Sequence, residues 1–138
     1  MKKNALLSPG RGVPASEARG ASKNRLIGWL VSYQNDKLGQ SIELRAGRTM
    51  VSSAEAGSDH CITLQADSIS NPHLALSASA QHNISVQDIF SEAGSYIRRA
   101  SDNEECQLSG PTDLQHGDWL RIGNSIKFQV CLIDGPGR

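Results

Sequence analysis

The chain has 138 residues, enough for a single core of about a hundred ordered residues and too few for two. Its formal charge is zero but unevenly spread: Lys2, Lys3, Arg11, Arg19, Lys23 and Arg25 stand against Glu17 alone at the start, a net of about +5, and the remainder is about −5. A negative body argues against nucleic-acid binding, which depends on neutralising phosphates and releasing counterions.

Residues 1–24 mix Pro9, Gly10, Gly12, Pro14 and Gly20 with serine, alanine and basic residues. Such a stretch buries too little apolar surface to offset its ordering entropy, so a disordered basic tail is expected ahead of one domain over 25–135. Its apolar stretch, Ala5-Leu6-Leu7, is too short for a signal-peptide core, and no later run could span a bilayer. A cytoplasmic protein is expected.

From Leu26 onward, Ile27, Trp29, Val31 and Tyr33 alternate with smaller or more polar neighbours, the period of a strand with one face packed. Asn35 to Gly39 reads as a turn, and Ser41 to Leu44 as the returning strand. Short alternating pieces follow at Thr49 to Val51, Cys61 to Leu64, Leu74 to Leu76, Ile84 to Val86, Tyr96 to Arg98 and Trp119 to Ile122. Gly123-Asn124 suits a tight hairpin turn, because both residues tolerate positive φ. The longest strand comes last, with Ile126, Phe128, Val130 and Leu132 on one face and Lys127 and Gln129 on the other. No window carries a helical apolar stripe. Ten to eleven short strands in two packed sheets make this an all-β sandwich.

Cys61, Cys106 and Cys131 are odd in number and lack C-x-x-C spacing, so neither a zinc site nor a disulfide framework is expected. Catalysis has no footing either. There is no G-x-S-x-G, no H-E-x-x-H and no phosphate-cradling glycine loop, while His60, His82 and His116 are scattered through apparent turns. No enzyme activity, cofactor or metal is expected.

Three segments remain, in this order: Ser68-Ile69-Ser70-Asn71-Pro72-His73, then Asp88 through Ile97 with Ser91 and Gly94, then Gly117-Asp118-Trp119-Leu120-Arg121-Ile122-Gly123. Taken alone, Ser70 closes a turn before Asn71-Pro72, His73 is a structural histidine and Asp88 accepts backbone bonds from the loop after it. Taken together, they resemble the S-x-x-H, D-x-x-S-x-N-G-T and G-D-x-(aliphatic)-x-(aliphatic)-G signatures of forkhead-associated (FHA) domains, over most of Leu26 to Ile133. These are β-sandwich modules that read phosphothreonine on protein partners.

The resemblance implies a division of labour. Ser70 would donate to the phosphate, His73 would prop its loop from behind, and Asp88 would scaffold the next loop. Asn71, Gly94 and Ser95 would line the peptide. The family's phosphate-binding arginine, at the end of the third strand, has two candidate positions. Laying Val51-Ser52-Ser53 on the usual aliphatic-Gly-Arg triplet puts Ser53 in the arginine slot and keeps the following loop short. Laying Gly47-Arg48 there keeps an arginine, Arg48, but lengthens that loop. Ala93 occupies the slot of the asparagine that grips the peptide backbone. Arg98 or Arg99 could supply a replacement cation, though adjacent strand residues face opposite ways and the pair also suits an exposed edge.

Two functions are compatible with this chain. One is an interaction module for signalling or regulation with weak or altered phosphothreonine recognition, its ligand a phosphorylated segment of a partner or its own basic tail. The other is an FHA-like domain that binds protein without phosphate in a larger assembly, such as secretion machinery or a multidomain regulator.

Overall fold

Alternating apolar and polar residues, cut by glycine- and serine-rich turns, leave strands as the one regular structure this sequence favours. The computed structural model describes residues 24–54 and 61–134, so the expected basic tail lies outside them apart from Asn24. Eleven strands form: β1 (Leu26–Ser32), β2 (Gln40–Arg45), β3 (Gly47–Ser52), β4 (Cys61–Thr63), β5 (Leu74–Ala78), β6 (Ile84–Asp88), β7 (Ser95–Arg98), β8 (Cys106–Gln107), β9 (Thr112–Leu114), β10 (Trp119–Ile122) and β11 (Ile126–Leu132). A six-stranded sheet runs β2-β1-β11-β10-β7-β8, and a five-stranded sheet runs β4-β3-β5-β6-β9. All pairings are antiparallel except β3 with β4. This is the expected all-β sandwich.

The two sheets enclose one core, in which Leu30, Leu120, Ile122, Phe128 and Val130 from the larger sheet meet Val51, Leu74, Leu76 and Val86 from the smaller. Each such side chain contributes about 1.5–3 kcal/mol by leaving water. β11 has the expected phase, with Phe128 and Val130 buried and Ile126 and Leu132 packed against the core.

β1 does not. Leu26 pairs with Arg45 and Gly28 with Leu44, so Ile27 is bulged out of the ladder and the alternation resets there. Ile27 is buried, but beyond it Leu30 and Ser32 face the core, while Trp29, Val31 and Tyr33 turn outward. The crowding is visible at Gly28, where a Cβ would lie 2.2 Å from the Cys131 carbonyl oxygen. β8 and β9 were not legible as strands, because two or three residues at a sheet edge carry no measurable period.

Strand direction sorts the loops onto the two ends of the sandwich. At one end lie Ser53, residues 64–73, residues 89–94 and Gly123-Asn124. At the other lie Ala46-Gly47-Arg48, residues 79–83, Arg99 and residues 115–118.

Candidate functional site

The first end is organised by His73, which is 0% exposed. Its Nδ1 accepts the Ser70 N–H at 2.9 Å, so Nε2 carries the proton and donates to the Gly94 carbonyl at 2.8 Å. One imidazole thereby ties the β4–β5 loop to the β6–β7 loop. Its backbone continues the tie, with His73 N–H donating to Val51 O and Ile89 N–H to His73 O, both at 2.9 Å.

Asp88, the last residue of β6, shapes the second loop. The Ser91 N–H donates to its Oδ1 at 2.9 Å, and the Ser91 and Ser95 hydroxyls both donate to Oδ2. Ser91 Oγ in turn accepts the Gly94 N–H at 3.0 Å. Burial pushes the Asp88 carboxyl upward, but these hydrogen bonds and the nearby His73 outweigh it and leave the acid below its ordinary value.

The third loop is stitched to the other two. Gly123 N–H donates to Gly94 O at 3.0 Å, and Asn124 N–H donates to Ser68 Oγ at 2.9 Å. Only glycine fits at 123, with φ at 70° and Ser68 Oγ lying 2.5 Å from where a Cβ would stand.

These loops border an open cleft of about 790 Å³. Asp67, Ser70 and Asn71 from the β4–β5 loop and Phe90, Glu92 and Ala93 from the β6–β7 loop line it. The Glu92 N–H donates to Ser70 Oγ at 3.1 Å, leaving the Ser70 hydroxyl proton to donate outward. Ser53 follows β3 directly, and its N–H donates to the Ser70 carbonyl at 3.2 Å. Asn71 is exposed and meets the Ser52 hydroxyl through Oδ1. Neither lysine nor arginine is among the described residues lining the cleft, whereas Asp67 and Glu92 are.

The candidate cations lie elsewhere. Arg48, the second residue of β3, lies opposite Ser77, five residues before Ser53, which at strand rise is about 16 Å away towards the other end. Arg98 stands 5.6 Å over the Trp119 ring and donates to the Asp102 carbonyl. Arg99 donates to the buried Asp118 carboxylate and to Asp113 O. Arg98 ends β7 and Arg99 follows it, both beyond Tyr96 and Ile97, the two residues of β7 that β8 pairs. Arg121 is saturated by a two-pronged pair with Glu105 and by the Gly123 and Asn124 carbonyls.

Ser95, expected against the peptide, is 0% exposed and spends its hydroxyl on Asp88. The structure thus gathers Ser53, Ser70, Asn71 and Gly94 at one end, with His73, Asp88 and Ser95 behind them. Arg48 and Arg98 stand apart. Sequence reasoning missed Phe90, which is 99% exposed beside the cleft with φ at 52°. Its only signal was a large aromatic inside a turn, where no core could take it.

Three solved structures share this architecture. The FHA domain of an Arabidopsis thaliana hypothetical protein matches at 20% identity and a TM-score of 0.62, over 83% of this chain and 92% of that one. An FHA domain from Chlamydia trachomatis matches at 19% and 0.62, over 77% and 96%. The FHA domain of human APLF, solved with a bisphospho peptide, matches at 13% and 0.60, over 78% and 99%. At these identities the likeness speaks for the fold. No curated protein is similar enough in sequence to match. The FHA domain family profile, however, matches residues 38–123, more than half of the chain and all three of its motifs, and on that ground the chain belongs to the forkhead-associated (FHA) domain family.

Proposed function

We propose that this chain is a protein-interaction module whose loop end holds a peptide segment and reads phosphothreonine only weakly. One observation carries the reading: the cleft beside Ser70 has no lysine or arginine in its described lining and two carboxylates, Asp67 and Glu92. A phosphothreonine brings close to two negative charges and three acceptor oxygens, and a receptor needs converging donors for them. Here the Ser70 hydroxyl and the Asn71 amide remain as side-chain donors, Ser53 stands beside Ser70, and Ala93 has no polar group to offer. Losing a charged donor to a desolvated phosphate typically costs about 2–5 kcal/mol, so affinity falls by about thirtyfold to several thousandfold.

The two carboxylates also favour a second reading, in which the same cleft takes a peptide with no phosphate at all. Titrating matched peptide libraries, phosphorylated and unphosphorylated, against the full chain separates the two. Weak binding of the phosphorylated set that vanishes in Ser70→Ala supports the first reading; equal binding of both sets supports the second. Tight binding of phosphothreonine that survives Ser70→Ala would sink both.

A further inference from the structure

The β1 bulge has turned the aromatic residues of that strand away from the core, onto the outer face of the six-stranded sheet. Trp29, Val31 and Tyr33 follow one another along this face, and Tyr33 is 67% exposed. Across the sheet, Val31 pairs with Gln129, Gln129 with Trp119, and Trp119 with Arg98, so their side chains form one row. Both tryptophans of the chain lie on this surface. Between Val31, Tyr33, Trp119 and Lys127 runs a groove of about 340 Å³, chiefly apolar in its walls.

The rim of this groove is cationic. Arg98, Arg121 and Lys127 all act on the single carboxylate of Glu105, which is held below its ordinary value chiefly by hydrogen bonds from Arg121. Arg121 takes both oxygens of Glu105. Arg98 has a carbonyl and the Trp119 ring, and Lys127 forms no ion pair among the described residues. Glu105 thus answers Arg121, while Lys127 and Arg98 stand beside the aromatic groove with no ion pair among the described residues, on a body whose net charge is negative. An aromatic cleft rimmed by cations suits an acidic segment carrying an aromatic or aliphatic anchor.

We propose that this outer face is a second docking surface, separate from the loop end, and that its occupant is an acidic peptide segment of a partner protein. The anchor fills the groove between Tyr33 and Trp119, and its flanking carboxylates pair with Lys127 and Arg98. Because Trp29 and Trp119 are the chain's only indoles, their fluorescence reports occupancy directly.

The test uses the full chain and a synthetic nine-residue peptide of Asp and Glu around a central Phe-Leu pair. Saturable change in tryptophan emission is expected, with an apparent Kd that rises at least tenfold when the acidic residues become Asn and Gln, and that rises steeply with salt. Lys127→Glu and Tyr33→Ser, both at exposed positions that the core does not need, should each weaken binding fivefold or more. Arg48→Glu makes the same charge change on the other sheet and should alter it less than twofold. Three results would overturn the proposal: no emission change at millimolar peptide, equal binding of the neutral peptide, or equal loss in Lys127→Glu and Arg48→Glu. Sedimentation showing that the chain already pairs with itself through Tyr33 would overturn it as well, by giving the groove another occupant.

Discussion

The two ends of this sandwich are built with opposite chemistry. At the loop end, hydroxyls, backbone amides and one imidazole hold the structure: Ser91 and Ser95 donate to Asp88, His73 and the Gly123 N–H donate to the Gly94 carbonyl, and Ser68 Oγ accepts the Asn124 N–H. At the other end, arginines do the holding. Arg99 is inserted against Asp118, which is 1% exposed and also accepts the Gln115 N–H at 2.7 Å. Arg25 donates from Nε to His82 Nε2, and Arg45 donates to the Asn24 carbonyl. A pocket for a dianion would need a cation at the first end. Cations at the second end cannot serve there, because each is committed to a local acceptor or lies a strand's length away.

The largest effect expected from breaking this comparison is at His73. His73→Ala removes both ring bonds at once, leaves Ser70 N–H and Gly94 O without their partners, and opens a cavity, for a loss of about 3–5 kcal/mol in denaturant unfolding. At the other end, Arg99→Ala should cost less, about 1–3 kcal/mol, because Asp118 keeps its backbone donor and the Arg99 side chain is partly exposed. A reversed ranking would mean that the arginine end, and not the histidine end, holds the sandwich together.

Moving a cation between ends sharpens the comparison further. Ser53→Arg combined with Ala93→Asn should raise affinity for phosphothreonine peptides tenfold to a thousandfold, read by calorimetric titration. Arg48→Ala should change it less than twofold. If Arg48→Ala removes binding instead, the phosphate lies near the start of β3 and not beside Ser70.

The smallest effect concerns acid. The Asp88 carboxyl sits below its ordinary value of 3.8 in the folded chain, despite its burial, because Ser91 and Ser95 donate to its charged form. Its contribution is therefore present above the unfolded value and is lost as pH falls through the lower, folded one. Asp88→Asn should cost about 1–2 kcal/mol near neutral pH and progressively less below about pH 4, measured by denaturant unfolding across that range. A cost that stays constant into acid would remove charge from the role of Asp88.

Much of this was legible in residue order, for a local reason. The short alternating strands, a turn at Gly123-Asn124 and the S-x-x-H spacing depend on neighbours a few residues apart and stand in the structure, although the turn runs through Ser125, with Ile122 paired to Ile126, and only Gly123 takes positive φ. The pairing of Ser70 with His73 needs only a three-residue turn. What the sequence left open depended on one-residue register and on distance. A single bulged residue, Ile27, carried Trp29, Val31 and Tyr33 from the expected inner face to the outer one, because side chains alternate and a slip of one inverts the face. Ser95 looked like surface until Asp88 claimed its hydroxyl. Arg48 lies at the end of the sandwich away from Ser70, since composition records that a cation exists and only the packing of β3 against β5 decides where its charge stands.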